Sequence, residues 1–592
     1  MIVPMKKVFI LLQAKDAEGA LSNLRAMGLL HIEHQQPPKG EDINLLQNDL
    51  SVIANALEII SGNEEFKEGS LDKKESLTDW KYTAQHIIDL QKRLSYLEDY
   101  ARTLKSKIEE WRQWGDFDPQ QIKALEKNNI FIGFYRIPLK EMSLLPETVA
   151  AEKIFIKSAV AHCMITSLGK VGIPFKEIPL PALSLNQMQQ RLEEENKVVN
   201  LIKAELKKEI SFYPALFEKK QQLQKELEFH QALGGMGKTG EIVYVSGFAP
   251  AGTEGILLKA ARGNQWGVLV REPSAEDNVP VLIKNPAWIA IIRPIFKFLE
   301  ILPGYRELDI SLLFLVFFSI FFGVLIGDAG YGLVYILLTF LLQRKARKKK
   351  LDTGNFFIFY ILSFCAIIWG VLTGTFFGQE WVLKAGYKPL APVLTDETGL
   401  QRFCFFLGAL HLSIAHGWRA VLKAPSLSAL GDLGWMCVLW SAFFIAKTLI
   451  LGDAFPSFCI WLLISGVALI ILFTNPQKNI LKSLEEWVAW LVTLPLSFMS
   501  NFADVVSYIR LFAVGMAGVA IADAFNAMAA MIGKGNMFMI MLAAFVALIG
   551  NTLGIVLGPV SVLVHGVRLN LLEFSGHMGL SWSGSPYKPL KE

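Results

Sequence analysis

Residues 309–332 read DISLLFLVFFSIFFGVLIGDAGYG. Between Asp309 and Asp328 no charge interrupts the run, and it opens a series of long apolar stretches that continues almost to the end of the chain. Stretches of this length match a bilayer core of about 30 Å. Membrane spans are expected near 309–327, 329–345, 355–377, 400–422, 430–450, 456–474, 487–529 and 537–574. The first two are divided only by Gly327, Asp328, Ala329, Gly330, Tyr331 and Gly332, because one helix of more than about 35 residues would overshoot the membrane and these glycines suit a tight hairpin.

The composition agrees. Hydrophobic residues make up 52% of the 592-residue chain, high for a soluble protein of this size. A net charge of +4 gives no reason to expect a nucleic-acid partner. Cys163, Cys365, Cys404, Cys437 and Cys459 are widely spaced and mostly lie in apolar runs, so neither a disulfide framework nor a metal site is encoded. No cofactor is implied.

Upstream of residue 309 the pattern changes to short strand-like runs alternating with charged helical stretches. Lys7 to Gln13, Leu29 to His34, Ile130 to Arg136 and Glu241 to Phe248 read as strands. The first imitates a signal peptide, but its apolar run is too short and Lys15, Asp16 and Glu18 follow. Ile87, Leu90, Leu94, Leu97, Ala101, Leu104, Ile108 and Trp111 alternate spacings of three and four, a heptad seam. A second stripe over 186–233 carries Leu192, Val199, Ile202, Leu206, Tyr213, Leu216, Leu223 and Leu227, with Pro214 expected to kink it. The two seams can pair antiparallel around an intervening lobe. The expected architecture is an α/β dumbbell over residues 1–290, two α/β lobes joined by a long antiparallel coiled coil. A linker over 291–308 and an all-α, eight-helix transmembrane domain over 309–592 follow.

Orientation comes from basic loops, which accumulate on the cytoplasmic side. Arg344, Lys345, Arg347, Lys348, Lys349 and Lys350 follow the second span; Lys423, with Arg419 just inside, follows the fourth; Lys478 and Lys482 follow the sixth. Lys384 and Lys388 in the 378–400 loop are a mild exception. With an even number of spans, both termini, including Lys588 and Lys591, are expected in the cytoplasm.

One motif is set aside. Ala232 to Thr239, with Gly234, Gly235, Gly237 and Lys238, fits a relaxed phosphate loop, but such a loop follows a strand and opens a helix. This one follows a long helix and leads into a strand, so a glycine cap is the simpler reading.

The seventh and eighth spans carry the chemistry. Arg510 lies near the middle of the seventh, where a cation costs about 2.5–3.5 kcal/mol even on the lenient insertion scale, so a functional role is the default hypothesis. Ala503, Ser507, Ala513 and Ala517 lie on its face and let another helix approach. Ser497, Asn501, Asp504 and Tyr508 form a polar stripe leading to it. In the eighth span Asn551, Gly554, Gly558, Ser561, His565 and Arg568 share one helical side. The bland alternative has both arginines tying helices together through Asp504 or Glu573.

Four stretches together give the chain a resemblance to a known family. They are Ile283 to Trp288 (IKNPAW), Phe322 to Gly332 (FGVLIGDAGYG), Ser507 to Phe512 (SYIRLF) and His565 to Glu573 (HGVRLNLLE). The chain resembles subunit a, also called subunit I, of V-type and archaeal or bacterial A-type rotary ATPases, over its whole length. The resemblance implies a non-catalytic stator subunit in a prokaryotic cell membrane, with ATP chemistry in other subunits. Its partners would be a rotating proteolipid ring and the peripheral and central stalks. Arg510 would face the ring carboxylates and Arg568 assist it in moving H⁺ or Na⁺. Asp504, Ser507, Asn501, Asn551, Ser561, His565 and Glu573 are the candidates for lining half-channels. The family's long, tilted last helices match spans of about 65 Å and 57 Å. Gly558 and Gly518 stand where eukaryotic members carry an acidic residue and a histidine, so the lining differs in detail. A secondary transporter or channel with a cytoplasmic regulatory domain is the alternative, but no inverted repeat relates the two halves of the membrane region. A purely structural anchor leaves Arg510 without a purpose.

Overall fold

The short apolar run over residues 8–12 makes Met5–Gln13 a strand, β1, whose alternate residues Val8, Ile10 and Leu12, with Met5, turn into the core. The structure, a computed structural model, describes residues 1–63, 79–157, 159–348, 353–378, 386, 388–474 and 480–591, without the side chains of 480–492. Lys349, Lys350, Lys384 and Lys478, and the side chain of Lys482, lie outside the described residues. The chain divides into two units, one of Met1–Leu11, Leu29–Glu33 and Ser246–Pro589, the other of Leu12–Gly28, His34–Val245 and Leu590–Glu592.

In the first unit β1 belongs to a sheet ordered β2-β8-β1-β9, with β2 His31–Glu33, β8 Ile242–Pro250 and β9 Gly267–Arg271. The β1–β9 ladder is antiparallel, pairing Lys7 with Arg271 and Leu11 with Gly267, and β2 runs antiparallel to β8. Gly247 must be glycine, since a Cβ there would sit 2.3 Å from the His31 carbonyl oxygen. Lys7 is buried between Asp277 at 2.7 Å and Glu33 at 3.0 Å. Its hydrogen bond holds the Asp277 carboxyl down at about 2. The C-terminal tail returns to this lobe: Val281 N donates to Ser585 O at 2.7 Å, Tyr587 N to Val281 O at 3.1 Å, and Lys588 N to His31 Nδ1 at 3.0 Å.

In the second unit the expected seams are buried together. Ile87, Leu90 and Leu94 of the Trp80–Trp111 helix share a core with Val199, Ile202 and Leu206 of Leu185–Glu209. Farther along, Leu104, Ile108 and Trp111 share one with Met188 and Leu192, so the helices run antiparallel. Pro214 does more than kink the second segment. The helix stops, Ile210–Phe212 forms a 3₁₀ turn, and Tyr213–Gly234 restarts with the proline in its first turn, where no N–H is needed. The new helix packs against Glu41–Ser61, a helix the sequence reading did not single out. Strands β3 Ile130–Pro138, β4 Val149–Lys157, β5 Val160–Leu168 and β6 Glu177–Ile178 form an antiparallel sheet ordered β4-β5-β3-β6. Trp111, Trp114 and Phe117 cover it at Phe134, with ring centroids 5.1–5.5 Å apart. The phosphate-loop look-alike ends one helix at Gly234 and enters β7, Gly237–Thr239, with no helix after it.

The remainder of the first unit is mostly helical. Among the described residues, Gly354–Thr373, Ala429–Leu451, Thr493–Ile532 and Met537–Met578 are long and apolar enough to cross a membrane, and Phe458–Phe473 is a shorter apolar helix. Ser311–Ile326 and Ala329–Lys348 meet at a bend of 120°. Gly327 makes the turn at φ +66°, a conformation only glycine adopts freely. Asp328 then fastens it, accepting from Tyr331 N at 2.9 Å and from Gly378 N at 2.7 Å. The Glu397–Lys423 helix packs against Ala429–Leu451 and the C-terminal helices, burying His411 and His416. The seventh expected span is interrupted at Ser507–Tyr508, between helices Ile480–Val506 and Ile509–Ile532.

A candidate ion-translocation site

Tyr508 fixes that interruption. Its side chain is fully buried, its ring lies so close to Gly408 that a Cβ there would be 2.7 Å away, and its hydroxyl meets His411 Nδ1 at 2.7 Å. The His411 ring is itself sandwiched between Phe317 and Phe574, at centroid distances of 3.8 Å and 4.2 Å. With the backbone anchored, Arg510 sits in the first turn of the next helix, and its Nε donates to the Ser507 carbonyl oxygen at 3.0 Å.

The far end of the guanidinium finds a carboxylate on the last long helix. Arg510 Nη2 donates to Glu573 Oε1, and Arg568 Nε stands 3.6 Å from the same oxygen. Burial falls outward, from Glu573 at 5% side-chain exposure through Arg510 at 22% to Arg568 at 55%. The cluster exists because the last helix departs from α geometry: after Met537–Ser561 it continues through π-helical turns at Val562–Gly566 and Leu569–Phe574. The wider i→i+5 turn brings Glu573 back over Arg568, five residues earlier, and such turns recur at functional sites.

Beside this cluster lies a cavity of about 780 Å³, lined among others by Ser497, Asn501, Asp504, Glu573, His577 and His416. A line of polar contacts runs along it. Asp504 Oδ2 lies 3.1 Å from His577 Nε2, His577 Nδ1 lies 2.9 Å from His416 Nε2, and His416 Nδ1 lies 3.5 Å from Asp432 Oδ1. Asp432 is also held by Lys423 at 2.7 Å and Arg419 at 3.4 Å, and Arg419 donates to the His577 carbonyl oxygen at 2.7 Å. Such a chain of titratable rings and carboxylates can pass a proton, and a polar cavity can admit water or a hydrated cation.

The expected site residues thus fall into two groups. Asn501, Asp504, Ser507, Arg510, Arg568 and Glu573 gather around the cavity and the arginine pair, with His565 half-buried on the π turn between them. Asn551 does not join them: it bonds Tyr331 Oη at 3.1 Å and Asn526 Oδ1 at 3.2 Å. On the same face a Cβ at Gly554 would meet the Tyr331 hydroxyl at 2.7 Å, and one at Gly558 the Ile326 side chain at 2.6 Å. That part of the stripe is a close helix crossing. Ser561 is half-buried where α geometry gives way to π. The sequence reading passed over His411, His416, Asp432 and His577. The signal for His416 was present, since His416, Arg419 and Lys423 recur at spacings of three and four near the end of a mostly apolar helix. Among the described residues no group of three or more His, Cys, Asp or Glu could hold a metal ion.

An α/β region joined to apolar helices that enclose an arginine–glutamate cluster and a polar cavity defines a membrane protein of the ion-transporting class. Comparison with known proteins gives the particular family. The chain is 30% identical over 627 residues to the V-type ATP synthase subunit I of Borreliella burgdorferi, covering 100% of both chains. It is 27% identical over 628 residues to V-type ATP synthase subunit I 1 of Treponema pallidum, again covering 100% of both. It is 25% identical over 460 residues to the A-type ATP synthase subunit I of Methanocaldococcus jannaschii, covering 69% of this chain and 64% of that one. The chain belongs to the V-type and A-type ATP synthase subunit I family. No protein-family model matches it. A solved structure, the cytoplasmic N-terminal domain of a subunit I homologous to subunit a of V-ATPase, covers 45% of this chain at 14% identity, with a TM-score of 0.25.

Proposed function

We propose that this chain is the membrane stator of a rotary ATPase, in which Arg510 faces the carboxylates of a rotating proteolipid ring while two half-channels deliver and remove H⁺ or Na⁺. The observation that carries the reading is the pairing of Arg510 with Glu573 beside the 780 Å³ polar cavity. A guanidinium stays charged when desolvated and offers a planar fork to a carboxylate, so it can draw the ion off a ring site and bar a direct leak between half-channels. The cavity that reaches Asn501, Asp504 and Glu573 serves as one half-channel. ATP is made or hydrolysed on other subunits, reached through the stalks that bind the N-terminal region over 1–290.

The eight-span topology with both termini cytoplasmic belongs to the same proposal. Its support is the docking of the tail at Ser585, Tyr587 and Lys588 onto Val281 and His31, as two ends that share a side would allow. The test is a reconstituted complex with its full subunit set. Arg510→Ala is expected to assemble and lose ATP-driven ion uptake, and Arg568→Ala to retain part of it. An Arg510→Ala complex that still builds an ion gradient on ATP addition refutes the reading.

A further inference from the structure

The three charges around Arg510 sum to one positive unit: two guanidinium groups, Arg510 and Arg568, approach one carboxylate oxygen, Glu573 Oε1. Glu573 is the most buried of the three, and its second oxygen, Oε2, is buried with no partner among the described residues. We propose that Glu573 is the stator's own counter-ion for Arg510, a positioning residue that holds the guanidinium while no ionised ring carboxylate faces it and releases it, turning to Arg568, when one arrives. The proposal rests on the stator reading above.

The physical need is specific. A ring site carrying its ion is neutral, so between successive deprotonated or sodium-free sites an unaccompanied Arg510 would be an uncompensated charge among apolar helices. Glu573 removes that penalty. It also creates a difficulty, because an arriving carboxylate must compete with Glu573 for the same guanidinium. Arg568 resolves it. At 3.6 Å from Glu573 Oε1 and more than half exposed, it can take up the charge that Arg510 gives up. Before exchange the trio carries one net positive charge; with the ring carboxylate added, the group is neutral. Two positive charges would hold the ring site too tightly to let it move on, and none would leave it nothing to pair with. Half of Arg510's own grip does not change in the exchange, since its Nε stays on the Ser507 carbonyl oxygen.

The charge count makes the test. In the reconstituted complex, ATP-driven ion uptake is measured for Glu573→Gln, Arg568→Gln and the double variant, with the amount of assembled complex and the melting temperature measured alongside. Glu573→Gln raises the net charge to two and is expected to slow coupled transport about tenfold, the factor that one pK unit of extra hold on a carboxylate represents. Arg568→Gln leaves Arg510 closed by Glu573 at zero net charge and is also expected to be slow. The double variant restores one positive unit, and its transport is expected to exceed that of either single variant. If Glu573 only ties helices together, the second substitution worsens the first in assembly and rate alike. Transport by Glu573→Gln at the wild-type rate, or a double variant no faster than Arg568→Gln alone, overturns the proposal. The second comparison stands even where Glu573→Gln by itself fails to assemble. Active Arg510→Ala would instead bring down the stator reading; inactive Arg510→Ala with no rescue by the double variant removes only the role given to Glu573.

Discussion

Removing one oxygen from Tyr508 should unsettle the helix interruption that presents Arg510. The hydroxyl and His411 Nδ1 are 2.7 Å apart, and both residues are at 0% exposure, so no water replaces the lost bond in Tyr508→Phe. His411 Nε2 already lacks a partner among the described residues, and the substitution would leave the whole imidazole without one. Orphaning a buried polar group costs about 1–3 kcal/mol. Tyr508→Ala loses the ring over Gly408 as well and belongs with large-to-small core changes, at about 3–5 kcal/mol. Replacing both partners with apolar rings, as in Tyr508→Phe/His411→Phe, removes the orphan, and such exchanges can be nearly neutral. A double-mutant cycle should therefore return a coupling of about 1–3 kcal/mol. Cys404 and Cys459 are buried in the helical region, so a thiol-reactive dye reports its melting in detergent. At about 2–4 °C per kcal/mol for a domain of this size, Tyr508→Phe should melt several degrees early and the double variant should recover most of that loss. A melting temperature for Tyr508→Phe equal to wild type, or a double variant that melts below both singles, would show that the pair does not hold the interruption.

The Lys7 cluster gives a prediction with a sign. Asp277 is held below its unfolded value by Lys7, so its contribution to stability is present above about pH 4 and fades as pH falls toward about 2. Lys7→Met removes the cation that bridges Asp277 and Glu33 and should cost about 2–4 kcal/mol, somewhat below the figure for a fully buried pair because Glu33 is about a third exposed. The variant's two carboxyls should then favour protons, so its melting temperature should rise as pH falls from 7 toward 5, a range over which the wild-type contribution of Asp277 is constant; parallel pH profiles would contradict this. For topology, a cysteine placed at Lys348 in a cysteine-free background should resist membrane-impermeant thiol reagents in intact cells and react after lysis. Labelling before lysis reverses the orientation.

Some of this molecule was legible because the physics acts locally. Strand β1, the seam from Ile87 to Trp111, the glycine turn at Gly327 and the apolar stretches each announce themselves through a period or a composition that neighbouring residues share. Pro214 was legible as a disturbance but not as a full stop, because whether a proline kinks or ends a helix depends on what the next segment packs against, here the Glu41–Ser61 helix. The site divides in the same way. Arg510 stands out because a cation in an apolar run is improbable without a purpose, and the stripe from Ser497 to Tyr508 can be followed at α-helical spacing to the cavity. The last helix misled the same arithmetic. Counting by threes and fours from Asn551 to Arg568 assumes one turn geometry throughout, yet the upper residues of that stripe, Asn551, Gly554 and Gly558, press against Tyr331 and Ile326, while of the lower ones His565 lies in a π turn and Ser561 and Arg568 each border one. Each π turn takes in an extra residue and rotates everything after it, which carries Glu573 toward Arg510 and Arg568 and away from the position an unbroken α-helix would give it. No local signal in Val562–Phe574 encodes that widening. It depends on tertiary contacts, including the stacking of Phe574 on His411 from the Glu397–Lys423 helix, a residue 163 positions earlier in the chain. The charge pairing at the centre of the site is thus a property of the packed helices, and only the residue types that take part in it can be read from the sequence.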